Sequence, residues 1–193
     1  MRIRPTHSLV PAGLAAALLL AVAPAASAQQ QVVPISELPR VEQDRIMLEN
    51  QSRVMDSDRL YREAKAYVEK GEWKKAASRF EQAAERRGDG DMKTAKLYRK
   101  AADAYYFAGK HGRAVTNFER AAASAMGFGD IDMAAESYLR AALVSHEAGD
   151  AVRANDNGWK AQRLSGSTAL SPKIRTAIRQ HLIVGDAAVA LGG

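Results

Sequence analysis

Apolar and polar positions follow helical spacing through most of the chain. From about Asp58 to Pro172 there is no intervening proline and no run of β-branched residues, and Ala, Leu, Glu, Lys and Arg dominate. All twelve aromatic residues lie between Tyr61 and Trp159, so the large apolar side chains occupy one contiguous block. The pattern predicts an all-α fold whose core is built from this block.

Three glycines divide the block into units of similar length. Gly71, Gly109 and Gly149 lie 38 and 40 residues apart. Alanines stand seven residues before, and five and twelve residues after, each glycine: Ala64, Ala76, Ala83, Ala102, Ala114, Ala121, Ala142, Ala154 and Ala161. A turn glycine ends one helix and leads the chain into an antiparallel second helix, and small residues let the two approach closely. Each unit is therefore predicted to be a helical hairpin.

Aromatic residues recur in the same register in the first two units. Tyr67 and Tyr105 lie four residues before the glycine, and Phe80 and Phe118 lie nine residues after it. This order of small, aromatic and glycine positions resembles the tetratricopeptide repeat, whose units have 34 residues. The resemblance covers about 105 residues and implies an antiparallel helix-pair solenoid of three repeats over residues 57–170, with Phe80 and Phe118 in its core.

The third unit departs from the repeat pattern. Ser145 and Gly158 stand where the earlier units have aromatic residues, and residues 155–158, Asn-Asp-Asn-Gly, are poor helix formers. We expect its second helix to be kinked or frayed, with Trp159 supplying the missing bulk. Because the units exceed 34 residues by four to six, the helices are expected to be longer than in the standard repeat.

The connectors after each helix pair combine glycine with aspartate, as calcium loops do. They lack the alternating ligands and the closing Glu of a calcium hand, so Asp91 and Asp130 are predicted to cap the next helix in each case. Ser171-Pro172 is a helix-start signal. Residues 171–193 are therefore predicted to be a capping helix and tail, with Ile174, Ile178, Leu182 and Val189 largely on one face.

Residues 1–28 have the features of a secretory signal peptide. Arg2 and Arg4 precede a short apolar core, and Ala26-Ser27-Ala28 is a cleavage site, so cleavage is expected after Ala28. The alternative, an uncleaved anchor, is disfavoured because the apolar core is shorter than the ~20 residues of a spanning helix. No later span is expected, and the protein is predicted to be bacterial and periplasmic or secreted.

Residues 29–40, rich in glutamine and proline, are predicted to be a flexible lead-in, and residues 41–56 an N-terminal helix. Val41, Leu48 and Met55 lie seven residues apart on that helix. Two interpretations remain open: an amphipathic helix that packs on the helices after it, or a short oligomerising coiled coil. The first is favoured, and with it a monomer.

Composition excludes several classes of chemistry. There is no cysteine, and His111, His146 and His181 lie in different predicted elements without metal-ligand spacing. No nucleophile elbow or phosphate-binding loop occurs in the right context. Removing Arg2 and Arg4 leaves 26 basic against 22 acidic residues, too small an excess to indicate nucleic-acid binding. We therefore expect no enzymatic activity, no cofactor, no metal and no nucleic-acid partner.

The resemblance implies a groove, formed by the first helix of each unit, that holds a peptide segment of a partner protein. The positions carried over to this groove as partner-binding residues are Tyr61, Lys65, Lys96, Arg99, Asp103, Tyr106, Phe107, Leu139 and His146. None is asparagine, so the carboxylate clamp of chaperone-binding relatives is not expected. Two of the apolar groove positions, Phe107 and Leu143, are equally compatible with packing inside the solenoid.

The predicted function is a non-catalytic interaction scaffold of the bacterial cell envelope, whose partner is another envelope protein. In the groove, Arg99 and Tyr106 are expected to be the central contacts. One alternative is a solenoid that binds a small molecule or glycan by stacking on Tyr106, Phe107 and Trp159. Another is a structural protein that self-assembles through residues 41–56.

Overall fold

The computed structural model describes residues 34–89 and 91–190, with residues 182–190 described by their backbone alone. The predictions for the signal peptide, for residues 29–33 and for the side chains of Leu182 and Val189 lie outside the described residues. The chain divides into two parts, Met1–Leu38 and Pro39–Gly193. In the first part, the described residues contain one 3-10 turn, Ile35–Glu37.

The secondary structure in the described residues of the second part is α-helical, without strands, as predicted. Its elements are α1 (Arg40–Glu69), α2 (Trp73–Arg87), α3 (Met92–Phe107), α4 (His111–Gly127), α5 (Ile131–Glu147), α6 (Ala151–Ser165) and α7 (Pro172–Ala190). Each of the first six helices packs against its neighbours in sequence, and α7 packs against both α5 and α6. Short connections make neighbouring helices antiparallel. The fold is an all-α solenoid of helix pairs followed by α7.

The predicted turn glycines have the left-handed backbone that the repeat requires. The φ angles of Gly71, Gly109 and Gly149 are 70°, 67° and 78°. After each glycine the next backbone N–H returns to a carbonyl in the last turn of the preceding helix; Lys110 N–H, for example, donates to the Tyr105 carbonyl at 2.9 Å. Asp91 accepts from the Lys93 N–H, so the capping interpretation of this connector is confirmed. Asp130 caps α5 in the same way through Met133.

Gly109→Ala is expected to lower the free energy of unfolding by about 1 kcal/mol, because alanine is strained in the left-handed region. A Cβ at Gly109 meets no atom within 4 Å, so the cost is conformational rather than steric. Gly112 is the matched control, since it also has open space but lies inside α4. Gly112→Ala is expected to raise the free energy of unfolding by about 0.5 kcal/mol. Urea denaturation of both variants measures the difference, and equal effects would contradict it.

The core is built from the alanine and aromatic positions of the repeat. Phe80 and Phe118 are only 4% and 2% exposed, and Ala64, Ala76 and Ala102 are fully buried. Tyr98 and Tyr105 join the same cluster, which extends from α1 to α5. The predicted core register is therefore confirmed.

The expectation that the second helix of the third unit frays is wrong. Helix α6 runs without interruption through residues 155–158, and Asn157 and Gly158 are buried. The Asn157 side chain donates to Glu119 Oε1 at 2.8 Å and to the Arg153 carbonyl at 3.0 Å, which satisfies a residue that otherwise disfavours helix. Trp159 does not fill the core, because it is 70% exposed.

The N-terminal helix is not a separate element. Helix α1 continues for 30 residues from Arg40 to Glu69, so the predicted boundary between residues 56 and 57 falls inside a helix. No glycine or proline interrupts this stretch. Val41, Leu48 and Met55 are 82%, 66% and 65% exposed, so the interpretation in which they pack on the later helices is also wrong.

Consecutive second helices are joined by a polar ladder that recurs from unit to unit. Glu81 of α2 accepts from Asn117 and Arg120 of α4, at 3.3 and 3.2 Å. Glu119 of α4 accepts in turn from α6. Glu81 and Glu119 both lie ten residues after a turn glycine. We call these contacts the second-helix ladder.

Candidate functional site

Two adjacent grooves open between the first helices of the three units. The first groove, of about 280 Å³, lies between α1 and α3 and is lined by Tyr61, Lys65, Val68, Glu69, Trp73, Phe80, Lys100, Asp103, Ala104 and Phe107. The second groove, of about 300 Å³, lies between α3 and α5 and is lined by Asp103, Tyr106, Phe118, Arg140, Leu143, Val144 and Glu147. Asp103 lines both, so α3 is the ridge that separates them.

The structure brings five of the nine predicted partner-binding residues to these grooves. Tyr61, Lys65 and Phe107 line the first groove, Tyr106 lines the second, and Asp103 lines both. The other four, Lys96, Arg99, Leu139 and His146, line neither groove. Phe107 is 62% exposed and Leu143 is 39% exposed, so neither is packed inside the solenoid.

Aromatic rings continue from the first groove toward the turns of the helix pairs. Phe107 packs against Trp73, with ring centroids 5.0 Å apart, and against Tyr106 at 5.8 Å. Tyr106 stacks on His111 at 5.6 Å. We call Trp73, Phe107, Tyr106 and His111 the aromatic row.

Sequence reasoning assigned no binding role to Trp73 or His111, although both begin a second helix. Each also lies two residues after a turn glycine. Their shared position, two residues after the turn glycine, could have shown that both lie beside the C-terminal end of a first helix.

Arg99 forms an ion pair within the protein. Its Nη1 lies 2.9 Å from Glu136 Oε2. Arg140 bridges the same Glu136, at 3.2 Å, to Asp103, at 2.8 Å. These four side chains form a chain of ion pairs between α3 and α5. The Arg99 side chain is still 33% exposed, so its role in partner binding stays a prediction.

Leu139 is a core residue, which corrects its assignment to the groove. It is 5% exposed and belongs to a cluster with Leu170 and Ile178. The same register position is occupied by Tyr61 in unit one and Arg99 in unit two, and both are partly exposed. The third unit differs because α7 and the segment before it cover this face of α5.

Asp103 is the central polar group of the site. Burial raises the pKa of its carboxyl above the ordinary value, although the positive charges of Arg140 and Arg99 act in the opposite direction. Tyr106 donates its hydroxyl to Glu147 Oε1 at 3.4 Å. That hydrogen bond, together with the charge of Glu147, raises the pKa of Tyr106. The two grooves thus combine apolar walls with carboxylate acceptors.

Among residues 34–89 and 91–190, no three His, Asp or Glu side chains are grouped closely enough to hold a metal ion. The buried side-chain polar atoms without a partner in this part are Asn117 Oδ1, Ser124 Oγ, Ser137 Oγ, Ser145 Oγ, Asn157 Oδ1 and Arg175 Nε. These residues line neither groove.

No helix in the described ranges is both long enough and apolar enough to cross a bilayer. No family model matches the chain, and no curated protein matches it. The tetratricopeptide resemblance therefore rests on the repeat spacing and the helix pairs alone.

Proposed function

We propose that this protein is a non-catalytic interaction scaffold of the bacterial cell envelope, related in its repeat design to tetratricopeptide proteins. It holds a peptide segment of another envelope protein across the first and second grooves. The observation that carries the proposal is the pair of adjacent grooves sharing Asp103, with Phe107 exposed at the edge of the first. Exposed aromatic side chains beside apolar concavities are typical of peptide-recognition surfaces.

The arrangement of the grooves limits the ligand. They lie on either side of one helix, so their centres are separated by about one helix spacing, ~8–10 Å. A polyproline II segment advances ~3.1 Å per residue with three residues per turn, so two apolar side chains three residues apart lie on one face about 9 Å apart and would reach both grooves. Between them, Asp103 offers a carboxylate to a backbone N–H or a basic side chain of the peptide.

Phe107→Ala is expected to weaken capture of the partner by about tenfold, because an aromatic residue that a partner covers is typically worth ~1.4 kcal/mol or more. Phe128→Ala is the matched control, since Phe128 is also exposed near a helix end but lies outside both grooves. Envelope extracts passed over each immobilised protein, followed by quantitative mass spectrometry, identify the partner. Overlapping peptides of that partner then measure affinity by calorimetry.

The proposal requires that one linear peptide binds and that Phe107→Ala weakens it while Phe128→Ala does not. Binding that depends on Phe128 but not on Phe107 would show that the partner binds outside the two grooves. Failure of all linear peptides would exclude the peptide-binding mode.

Two observations favour other candidates that the same proteins test. The aromatic row offers stacked ring faces suited to a glycan or small molecule, and a glycan array on which only Phe107→Ala loses binding would support that function. The exposed stripe of Val41, Leu48 and Met55 suits self-association. Size-exclusion chromatography with light scattering measures the oligomeric state, and a monomer would exclude self-association through this stripe.

A further inference from the structure

In the third unit, the residue at the register position of the ladder glutamates has no following second helix to contact among the described residues. The ladder glutamates, Glu81 and Glu119, each point toward the next second helix and accept from its side chains. The equivalent position, ten residues after Gly149, is Trp159. It is 70% exposed, and Val152, seven residues earlier on the same face of α6, is 81% exposed.

Helix α7 occupies the position of a first helix. Ile178 follows Tyr138 by 40 residues, as Tyr138 follows Tyr98, and it is fully buried. Helix α7 contacts the preceding second helix, α6, and the preceding first helix, α5. In the described part of the chain, no second helix pairs with α7, and none covers Trp159.

This end of the solenoid is basic. Between residues 151 and 181 the only acidic residue is Asp156, whereas six are basic: Arg153, Lys160, Arg163, Lys173, Arg175 and Arg179. Arg153 and Lys160 are held by Glu119 and Asp156. Arg163, Lys173 and Arg179 are exposed and form no ion pair with another described residue. Arg163 lies one helical turn from Trp159 on the same face.

We propose that the surface around Trp159, Val152 and Arg163 binds an acidic amphipathic helix of a partner protein. That helix would take the place of the second helix of a fourth unit. The chain itself indicates a helix as the occupant, because the equivalent positions at Glu81 and Glu119 are both covered by one. Arg163, which lies on this face without an ion pair, selects a carboxylate of the partner.

A second copy of the chain fits this surface less well. If α2 of that copy took the place of the missing second helix, its α1 would need the position that α7 already occupies. A helix supplied without a first helix avoids this overlap. The surface is also distinct from the first and second grooves, which involve only α1 to α5.

The probe is a synthetic 17-residue peptide with the sequence of α4, His111–Gly127, carrying Arg113→Glu and Arg120→Glu. Helix α4 is chosen because it already packs as a second helix in this fold, and its unchanged sequence is the control peptide. The protein is produced in cells from the full-length sequence and carries Trp73→Phe. This substitution leaves Trp159 as the single tryptophan.

The acidic peptide is expected to shift Trp159 emission to the blue in a saturable, salt-sensitive manner, with the unchanged peptide at least about tenfold weaker. With a labelled peptide, Trp159→Ala and Arg163→Glu should each reduce affinity by about tenfold. Phe128→Ala and Phe107→Ala should leave it unchanged.

Several outcomes would overturn the proposal. One is that neither peptide binds the protein. Another is that Trp159→Ala binds the acidic peptide as tightly as the protein that keeps Trp159. A blue shift on phosphatidylglycerol vesicles without peptide binding would assign the surface to a membrane. A dimer that Trp159→Ala dissociates would assign it to a second copy.

Discussion

Phe118→Ala is expected to lower the free energy of unfolding by about 3–5 kcal/mol. Phe118 is 2% exposed and lies in the core cluster that spans α1 to α5, so truncation leaves a cavity at the centre of the solenoid. It also forms part of the lining of the second groove. Urea denaturation followed by circular dichroism measures the loss.

Phe128→Ala again serves as the control, because its side chain is 38% exposed at the end of α4. Its expected cost is below about 1 kcal/mol. If Phe118→Ala melted like the wild type, the repeat register that places this residue in the core would be wrong.

Glu119→Ala is expected to lower the free energy of unfolding by about 1–3 kcal/mol, because it leaves buried donors without their acceptor. Asn157 is fully buried and donates to Glu119 Oε1, and Arg153 donates to both carboxylate oxygens. The Glu119 side chain is 26% exposed, so solvent reduces the loss below that of a fully buried ion pair. Glu85→Ala is the control, since its side chain is 54% exposed and contacts only Arg120 in the ladder.

The same residue predicts a pH dependence. Burial tends to raise the pKa of Glu119, but hydrogen bonds from Arg153 and Asn157 outweigh it and hold the pKa below the ordinary value of 4.5. A carboxyl with a depressed folded-state pKa stabilises the protein above its unfolded pKa, and that contribution is lost as the pH falls through the folded value. The stability difference between wild type and Glu119→Gln should therefore narrow below about pH 4.5. A difference that grows in acid would contradict the ladder.

The polar contacts between units were beyond sequence reasoning, although their residues recur. Glu81 and Glu119, like Asn117 and Asn157, occupy equivalent positions of successive units. On a single helix, each is simply a polar residue on a helix surface. Only the stacking of α2, α4 and α6 places carboxylate beside amide and guanidinium, and that arrangement keeps residues 155–158 helical.

The amino-acid sequence alone determined the helix pairs, the turn glycines and the alanine and aromatic core, because these depend on spacing within one helix or across one turn. Phe80, Phe118 and Gly109 are examples, and the structure confirms each. The tertiary structure alone decided which of the residues predicted to lie on the surface are contacted or covered by another helix. Glu136 engages Arg99, and α7 covers Leu139, while no described helix covers Trp159. Such differences arise from neighbours about 40 residues away in the chain, which local periodicity does not specify.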